Sequence, residues 1–390
     1  MMVPRKMRFD RVWYCLLTVG ISISSFYLVI AFSIPAISAE QNNIMPQWIE
    51  FTVTDRSSTS GVDIDGNRIV WSEYYESSNG NTCLPPENTH LVRYGGVGRS
   101  IISTQAQPLP PEIDHDICLF NTQTNEYVAL TNTGSEDRLP QIDGEWFAYI
   151  RGAVNVPHVY ATNLNTGQVI TVFKTVPDGF TQWIRLQGNV LVAEINAPIG
   201  VFLGKAIMAY DLTAQERITI VRTLDYDAGY PDVYSRTIVW QEAISPTWDY
   251  QIVGYDLDSQ IPFTVSARPG NERFPRIDGD LIVWEWQGDI VGYNLATNSY
   301  LTITQAPGVQ TLPTVQGDLV AWMDYRHGQW DIYAYDLSEG IEYQISDSPV
   351  DDWNPAIWSD VIMWERLTAD VGVYAARKMS HFLFLPAIRR

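Results

Sequence analysis

Carboxylates and aromatic rings recur together in short polar segments, and these side chains are the ones whose types could do chemistry. Carboxylate oxygens suit a hard cation such as calcium, and Trp and Tyr rings are common at surfaces that bind sugars or proteins. No spacing among them matches a known calcium loop, so we expect no cofactor, with calcium as the one cation that would suit the set. The candidate ligand-binding residues are Glu136, Asp137, Trp183, Asp225, Asp227, Tyr230, Trp248, Glu272, Asp351, Asp352 and Trp353.

Motifs that would indicate catalysis are sparse. The chain has no Gly-x-Ser-x-Gly motif of a serine hydrolase. Its five histidines include no pair at metal-ligand spacing, although His90, His115 and His158 could approach one another after folding. The sequence therefore identifies no catalytic residue and no metal ligand, and it favours a binding function over an enzymatic one.

An internal repeat gives the elements that must position these residues. Two clear copies run from Pro275 to Leu295 and from Pro313 to Leu337. Repeats of about 40 to 45 residues, built from short β segments, are typical of β-propellers, in which each blade holds four strands. The fold class predicted is all-β, a seven-bladed β-propeller. The residue at the tight turn recurs at Gly66, Gly144, Gly188, Ser235, Gly279, Gly317 and Ser359.

An apolar run follows each turn and closes on a large ring in six of the seven copies. We interpret these runs as the second strand of each blade. Because the ring recurs at one position of the repeat, packing between blades explains it better than a sugar site does. The closing residues are Trp71, Tyr149, Trp240, Trp284, Trp322 and Trp364, with Ala193 as the exception.

The ring of blades is predicted to close through the N-terminal strand. The segment Trp48 to Asp65 matches Ile261 to Asp278, which contains a fourth strand and the loop after it. Since the seventh repeat supplies three strands, the N-terminal strand is expected to complete that blade and to remove two exposed strand edges. The propeller domain is assigned to residues 48–376. Residues 377–390 form an apolar and basic tail. It is expected to add an outer strand to the last blade, to compete with the Trp48 strand for the fourth position, or to be a sorting or anchoring signal.

Loop lengths predict which face binds. In a propeller, the loops from second to third strand and the connections into the next blade emerge on one face, here named the long-loop face. Insertions on one face often mark the binding face of a repeat protein, and the candidate residues, together with Phe274, fall in these connections. The long insertions are Glu76–Asp114, Gly152–Pro157, Ile195–Lys205 and Ala243–Tyr250.

Residues 1–39 have the composition of an export segment. Basic residues from Arg5 to Arg11 precede an apolar stretch from Val12 to Ile34, and Ala39 is a small residue suited to cleavage. The stretch is long enough for either a signal peptide or an N-terminal transmembrane anchor. Both place the propeller outside the cytoplasm, in the periplasm, at the cell surface or secreted, after a short linker at 40–47.

Charge and cysteine content limit the partners. The formal net charge is −20, which disfavours nucleic acid, because phosphate binding relies on clustered Lys and Arg. An envelope protein or a polysaccharide is expected as partner, and a monomer as the oligomeric state. Cys83 and Cys118 could form a disulfide in an oxidising compartment.

The repeated D-G-x-x-I-V-W and D-I-Y-x-Y-D-L patterns, most complete from Asp324 to Leu337, resemble the TolB-type (WD40-like, PD40-type) propeller repeat of periplasmic and cell-surface proteins. The turn reads I-D-G or V-Q-G where that family has W-S-P-D-G, which suggests a surface-protein branch. The resemblance implies an exported, non-catalytic binding or scaffold protein that uses its long-loop face. The alternatives are a polysaccharide lyase or glycosidase, with carboxylates or histidines near the axial funnel, and a purely structural envelope protein.

Overall fold

The computed structural model describes residues 48–54, 61–76, 83, 113–132, 135–152, 157–174, 180–196, 205–223, 227–244, 247–367 and 371–378. Every helix or strand in these ranges is a β-strand. The predictions for the export segment 1–39, the linker 40–47 and most of the tail lie outside them. No helix in the described ranges is long and apolar enough to cross a membrane.

Within these ranges the strands form seven four-stranded antiparallel sheets. The first three blades are β2 (Val62–Asp65), β3 (Arg68–Glu76), β4 (Ile113–Asn121) and β5 (Glu126–Ala129); β6 (Asp137–Asp143), β7 (Trp146–Arg151), β8 (His158–Asn163) and β9 (Val169–Phe173); β10 (Phe180–Gln187), β11 (Val190–Asn196), β12 (Lys205–Asp211) and β13 (Glu216–Thr223).

The remaining blades continue in the same order. They are β14 (Ala228–Tyr234), β15 (Thr237–Ile244), β16 (Asp249–Asp256) and β17 (Ile261–Ser266); β18 (Glu272–Asp278), β19 (Leu281–Trp286), β20 (Asp289–Asn294) and β21 (Ser299–Thr304); β22 (Gln310–Gln316), β23 (Leu319–Asp324), β24 (Asp331–Asp336) and β25 (Ile341–Gln344); and β26 (Asp352–Trp358), β27 (Val361–Leu367), β28 (Val371–Lys378) and β1 (Trp48–Thr54).

The seventh blade joins the two ends of the propeller. Its strand order is β1-β28-β27-β26, so the N-terminal strand is its outermost member. The antiparallel register pairs Trp48 with Lys378 and Phe51 with Ala375. Arg366 of β27 adds a side-chain contact, because its guanidinium donates to both carboxylate oxygens of Glu50 at 2.7 and 3.2 Å. The predicted seven blades and the predicted closure are confirmed.

The first strand of each blade lies innermost, since first strands of adjacent blades contact one another around the whole ring, including β26 against β2. The core lies between the blades. Trp71, Trp284, Trp322 and Trp364 are fully buried, and Ala193 is buried at the equivalent place. Trp71 and Trp322 donate their indole N–H to a carboxylate two residues later, to Glu73 at 3.1 Å and to Asp324 at 2.9 Å. The recurring ring is therefore explained by burial of a large aromatic body between blades.

The tight turns lock neighbouring blades together at the face opposite the long loops. Each turn residue has a φ between 53° and 60°, the conformation that a type II′ turn places at its first central residue and that suits Gly. The turn N–H then donates to the last side chain of the preceding blade's first strand: Gly144 to Asp65 at 3.0 Å, and Gly317 to Asp278 at 2.7 Å. We name these contacts turn clamps. The Asp of an Asp-Gly pair therefore accepts a hydrogen bond from the turn of the next blade.

At the long-loop end, the first strands contain bulges. The ladder shifts register around Phe274 in β18, for example, where Arg273 pairs with Glu285 and Arg276 with Val283. A proline follows in five blades and removes a ladder donor, which is consistent with a break in pairing. We name these residues mouth bulges, and they have a positive φ at Leu139, Tyr230, Phe274, Leu312 and Asn354. Gly61, directly before β2, has a positive φ at the equivalent position, and we include it under the same name.

The mouth bulges are also linked to the preceding blade. The freed N–H of Phe274 donates to Gln241 Oε1 at 2.9 Å, and that of Gly61 donates to Glu365 Oε1 at 2.8 Å. Gln241 and Glu365 each follow the buried ring of a second strand. The accepting side chain therefore replaces the ladder partner that the bulge loses. In blade 1, a disulfide joins Cys83 to Cys118, whose Cα atoms are 5.3 Å apart.

Candidate functional site

Three of the predicted site carboxylates are internal. Asp137, Glu272 and Asp352 each begin a first strand and are fully buried. Each accepts hydrogen bonds from an arginine: Asp137 from Arg151 at 2.7 Å, Glu272 from Arg268 at 3.1 Å, and Asp352 from Arg366 at 2.7 and 2.9 Å. Burial raises the pKa of Asp137 and of Asp352, and the arginines oppose that shift. These three carboxylates hold the ends of the strands together and are not part of an exposed rim.

Other predicted residues lie on separate blades. Glu136 is 3.5 Å from Arg138 in blade 2, and Asp351 accepts from the Trp330 N–H at 2.9 Å beside blade 7. Trp248 is 54% exposed in the blade 4 loop. Trp353 is half-buried on β26, and Asp225 lies outside the described residues. The structure brings Trp183, Asp227 and Tyr230 together at blades 3 to 5.

A cavity of about 290 Å³ opens at this place, between the long-loop ends of blades 3, 4 and 5. Strand ends supply its walls, because the first residues of the first and third strands and the last of the second strands lie at this face. The lining residues are Lys205, Asp227, Gly229, Tyr230, Gln241, Tyr250, Arg273 and Phe274.

One wall of the cavity is a closed charge network. Lys205 Nζ is 2.7 Å from Glu194 Oε1 and 2.8 Å from Asp227 Oδ1, and the Tyr250 hydroxyl donates to Asp227 Oδ2 at 2.6 Å. Burial opposes the charge of Lys205, but its hydrogen bonds to Asp227 and Glu194 prevail and raise its pKa. Burial likewise opposes the charge of Asp227, and the bonds from Lys205 and Tyr250 lower its pKa. Burial and Asp227 together raise the pKa of Tyr250 to about 12.

Three rings continue the cavity toward the propeller axis, and we name them the aromatic row: Trp183, Tyr230 and Phe274. The centroids of Trp183 and Tyr230 are 5.2 Å apart, and Tyr230 meets Phe274 edge to face at 4.7 Å and 87°. The faces of Trp183 are approached by guanidinium groups, that of Arg185 at 4.5 Å and that of Arg276 at 5.4 Å. The indole N–H of Trp183 is buried without a hydrogen-bond partner in the described structure.

Each of the innermost first strands contributes one residue two positions after its bulge or the equivalent residue. We name these the axial residues: Asp63, Gln141, Arg185, Asp232, Arg276, Thr314 and Ala356. Charges interact across the ring: burial raises the pKa of Asp63 to about 7, while Arg185, two blades away, lowers it. Arg185 lies 3.9 Å from Asp232 and donates to Gln141 at 3.2 Å.

Sequence reasoning missed the axial residues, although a signal for them exists. The first strands read L-P-Q-I, Y-P-D-V, F-P-R-I, L-P-T-V and N-P-A-I, and the third letter of each is the axial residue. The pattern that locates them is a polar or small residue between a proline and a β-branched residue, and it recurs in five blades.

No group of three or more His, Cys, Asp and Glu in the described ranges could hold a metal ion. His90 and His381 lie outside those ranges. His158 stacks near Tyr160, with centroids 6.4 Å apart. His327 Nδ1 lies 3.3 Å from the Tyr333 hydroxyl. The described histidines are thus placed in separate blades.

The chain was compared with known proteins. No protein-family model and no curated protein matches its sequence. The β-propeller domain of the trilobed protease from Pyrococcus furiosus matches with a TM-score of 0.60 at 10% identity, over 84% of this chain and 99% of that domain. An acylaminoacyl peptidase from Pyrococcus horikoshii matches with a TM-score of 0.58 at 12% identity, over 86% of this chain and 54% of the peptidase, so the chain spans about half its length.

An oligogalacturonate lyase in complex with manganese matches with a TM-score of 0.54 at 12% identity, over 86% of this chain and 99% of the lyase. The similar structures thus include the propeller domain of a protease, a peptidase and a lyase. At such identities the likeness shows the propeller fold alone. The resemblance to the TolB-type repeat stays a prediction.

Proposed function

We propose that this protein is an extracytoplasmic binding protein that holds a protein partner on its long-loop face, with the cavity between blades 3, 4 and 5 as the anchoring point. The observation that carries the proposal is the cavity itself. It is formed by strand ends, lined by two tyrosines, a phenylalanine and fixed charges, and lies on the face that loop lengths predict.

The charges of the cavity support binding over acid–base catalysis. A general acid or base works best when its pKa lies near the operating pH. Here the network moves each pKa away from neutrality: that of Lys205 upward, that of Asp227 downward, and that of Tyr250 to about 12. These groups keep their charge states near pH 7 and can present a constant pattern to a partner.

Exposed apolar side chains on the same face support a protein as partner. Trp248 is 54% exposed, Val309 46% and Tyr325 42%, and all three lie in long-loop connections of blades 4 to 6. Protein interfaces are enriched in such aromatic anchors. The disulfide between Cys83 and Cys118 supports an oxidising compartment, in agreement with the export segment expected at residues 1–39.

The test is chemical crosslinking in the native envelope with the tagged full chain. Trp248→Ala and Tyr325→Ala alter the long-loop face, and Ile261→Ala is the matched control, because it is 60% exposed on the outer strand β17. We expect one partner whose crosslink yield falls about tenfold in either face variant, as hot-spot residues do, and is unchanged in the control. A partner lost equally in all three variants, or in none, contradicts the proposal.

A second assay addresses the enzymatic alternative. Purified protein is incubated with polysaccharides of the envelope, and the release of reducing ends or of unsaturated products is followed. Turnover that survives in Trp248→Ala would support the lyase or glycosidase predicted as the alternative. Absence of turnover together with a face-dependent crosslink agrees with a binding protein.

A further inference from the structure

The arginines of this chain are surrounded by an excess of acid. The sequence has 45 Asp and Glu against 25 Lys and Arg, and arginines such as Arg151, Arg326 and Arg366 each lie within 2.7 Å of a carboxylate. Two arginines differ. Within the part of the chain that the structure describes, Arg273 and Arg276 form no ion pair at 4.0 Å or less, although both lie on β18 at the propeller mouth.

Arg273 lines the cavity. Its Nε is buried and has no hydrogen-bond partner among the described residues, and its guanidinium carbon is 5.2 Å from the Tyr250 ring. The carboxylate opposite it in the ladder, Glu285, accepts instead from the Thr311 hydroxyl. A buried donor without a partner costs free energy, so the cavity has a donor that a ligand could satisfy.

Arg276 is the axial residue of the same strand and is 9% exposed. It donates a long hydrogen bond, 3.4 Å from Nη1 to the Pro275 carbonyl, although a guanidinium carries five N–H donors. Burial and the neighbouring charge of Arg185 lower its pKa to about 9, and the carboxylates of Asp232 and Asp63 offset part of that shift. A further anion placed beside Arg276 would stabilise its charged form.

The mouth bulge brings the two arginines to the same side of the sheet. In a regular strand, residues three apart point to opposite faces. Here the extra residue of the bulge intervenes, and the ladder partners, Glu285 for Arg273 and Val283 for Arg276, are two positions apart on β19. Tyr230 lines the cavity together with Arg273. It also contacts Trp183 at 5.2 Å, and the guanidinium of Arg276 lies 5.4 Å from that Trp183 ring, beside the cavity lining.

Two guanidinium groups and a phenol form the donor set that suits a carboxylate, since the planar fork of arginine matches a carboxylate's two oxygens. The cavity, at about 290 Å³, has room for one side-chain-sized group. The net charge of −20 repels densely charged polymers, which favours one carboxylate in an otherwise neutral segment. The aromatic row offers contact to apolar atoms beside it.

A peptide fits this site better than a uronic acid chain does. Stacking on a sugar needs an open ring face, but guanidinium groups approach Trp183 at 4.5 and 5.4 Å. Tyr230 and Phe274 meet at 87°, so they present no common flat surface. We infer that the mouth binds a carboxylate of a peptide ligand, either an acidic side chain or a C-terminus, between Arg273 and Arg276 with the Tyr230 hydroxyl as a third donor. This inference rests on the proposed function.

The experiment measures binding of defined probes to the full chain at pH 7 by ligand-observed NMR. N-acetylphenylalanine offers a terminal carboxylate, N-acetylglutamic acid α-amide offers a side-chain carboxylate, and N-acetylphenylalaninamide offers none. Galacturonic acid and inorganic phosphate are the other anions. We expect at least one peptide carboxylate to bind at least tenfold more tightly than the amide, and comparison of the two carboxylates identifies the source.

The variants are Arg273→Gln and Arg276→Gln, each expected to weaken carboxylate binding at least tenfold. Arg138→Gln is the matched control, because Arg138 occupies the position of Arg273 in the blade 2 bulge but lies 3.5 Å from Glu136. It should bind like the wild type. Thermal unfolding of each variant shows that it folds, and if Arg276→Gln does not, Arg273→Gln alone decides the test.

Equal affinity for acid and amide, no weakening in Arg273→Gln, or no binding of any probe at about 10 mM would each overturn the inference. Arginine-dependent binding of galacturonic acid or phosphate without a peptide carboxylate would also overturn it and would assign another anion. If carboxylates bind but no partner is crosslinked, the carboxylate site is supported and the proposed function is contradicted. If a partner depends on the long-loop face but its capture is unaffected by Arg273→Gln, the proposed function is supported and the carboxylate site is contradicted.

Discussion

The two ends of the first strands use the same backbone in different ways. At the turn end, the last residue of the first strand is Asp or Gln in five of the seven blades, and each of these five accepts from the turn N–H of the next blade in a turn clamp. At the mouth, the bulge residue two positions before the axial residue changes from blade to blade, as from Leu139 to Tyr230 and Phe274. The turn end is repeated because it joins neighbouring blades. The mouth varies, and the residues of the proposed site lie there.

The same contrast separates paired charges at the mouth from unpaired ones. Asp137, Glu272 and Asp352 are buried with arginine partners and belong to the scaffold. Arg273 and Arg276 also lie at the mouth, but neither has an ion-pair partner within 4.0 Å in the described ranges. If this division is correct, breaking a paired charge should cost stability, and removing an unpaired one should cost binding.

The largest effect is expected from Arg366→Met. This change leaves Asp352 fully buried without the arginine that bonds both of its oxygens, and removing one partner of a buried pair costs about 3–5 kcal/mol. Urea unfolding monitored by Trp fluorescence measures the loss. The double variant Asp352→Asn/Arg366→Met should recover part of it. Equal stability of Arg366→Met and wild type would place Asp352 outside the scaffold.

A pH-dependent effect of about 3 kcal/mol is expected from Glu365, whose pKa burial raises to about 7. Because the folded-state pKa lies above the unfolded value of 4.5, its contribution to stability is full below pH 4.5 and is lost as the pH rises through 7. Glu365→Gln, which mimics the protonated acid, should match wild type at pH 4.5 and exceed it at pH 8. Thermal unfolding at both pH values tests this, with the exposed Glu126→Gln as control.

A turn clamp should contribute less. Asp278→Ala removes the acceptor of the Gly317 N–H, and loss of one hydrogen bond that is partly open to solvent costs about 1 kcal/mol. The midpoint of urea unfolding should fall accordingly, with an unchanged slope. Asp280→Ala, an exposed residue beyond the turn, should have almost no effect. If the two variants behave alike, the clamps are not joints between blades.

The smallest effect on stability is expected from Arg273→Gln. The residue has no ion pair in the described ranges, so the free energy of unfolding should change by no more than about 0.5 kcal/mol, as for most substitutions without a structural partner. Its effect on carboxylate binding should still be at least tenfold. A loss of stability as large as that of Arg366→Met would place Arg273 with the paired arginines and would remove the contrast between the two groups.

Much of the fold could be predicted because it is repeated. The turns from Gly66 to Ser359 set the number of blades, and the likeness of the segment after Trp48 to that after Ile261 gave the closure. Burial of the rings followed from their recurrence. These features depend on local sequence patterns that occur in every copy of the repeat. Each copy therefore strengthens the assignment made for the others.

The site could be predicted only in part, because its chemistry depends on pairing across blades. Asp137 and Asp227 occupy similar positions in the sequence repeat. In the structure, Asp137 is buried and accepts from Arg151, whereas Asp227 lines the cavity. The mouth bulges interrupt the alternation of side chains, so the orientation of Arg273 and Arg276 could not be read from their spacing of three. Trp183 and Tyr230 were predicted from their aromatic rings, but they lie on first strands, β10 and β14, and not in the connections where we expected them.

The closure of the ring also sets an order of events during synthesis. β1 is the first strand of the propeller to be made, but its hydrogen-bonded neighbour, β28, is the last. Six blades can therefore acquire all of their strands before the seventh does, and β1 has no hydrogen-bonded neighbour until residue 378 has been made. The period in which its unpaired edge is open to other chains is thus set by the time taken to synthesise the whole propeller.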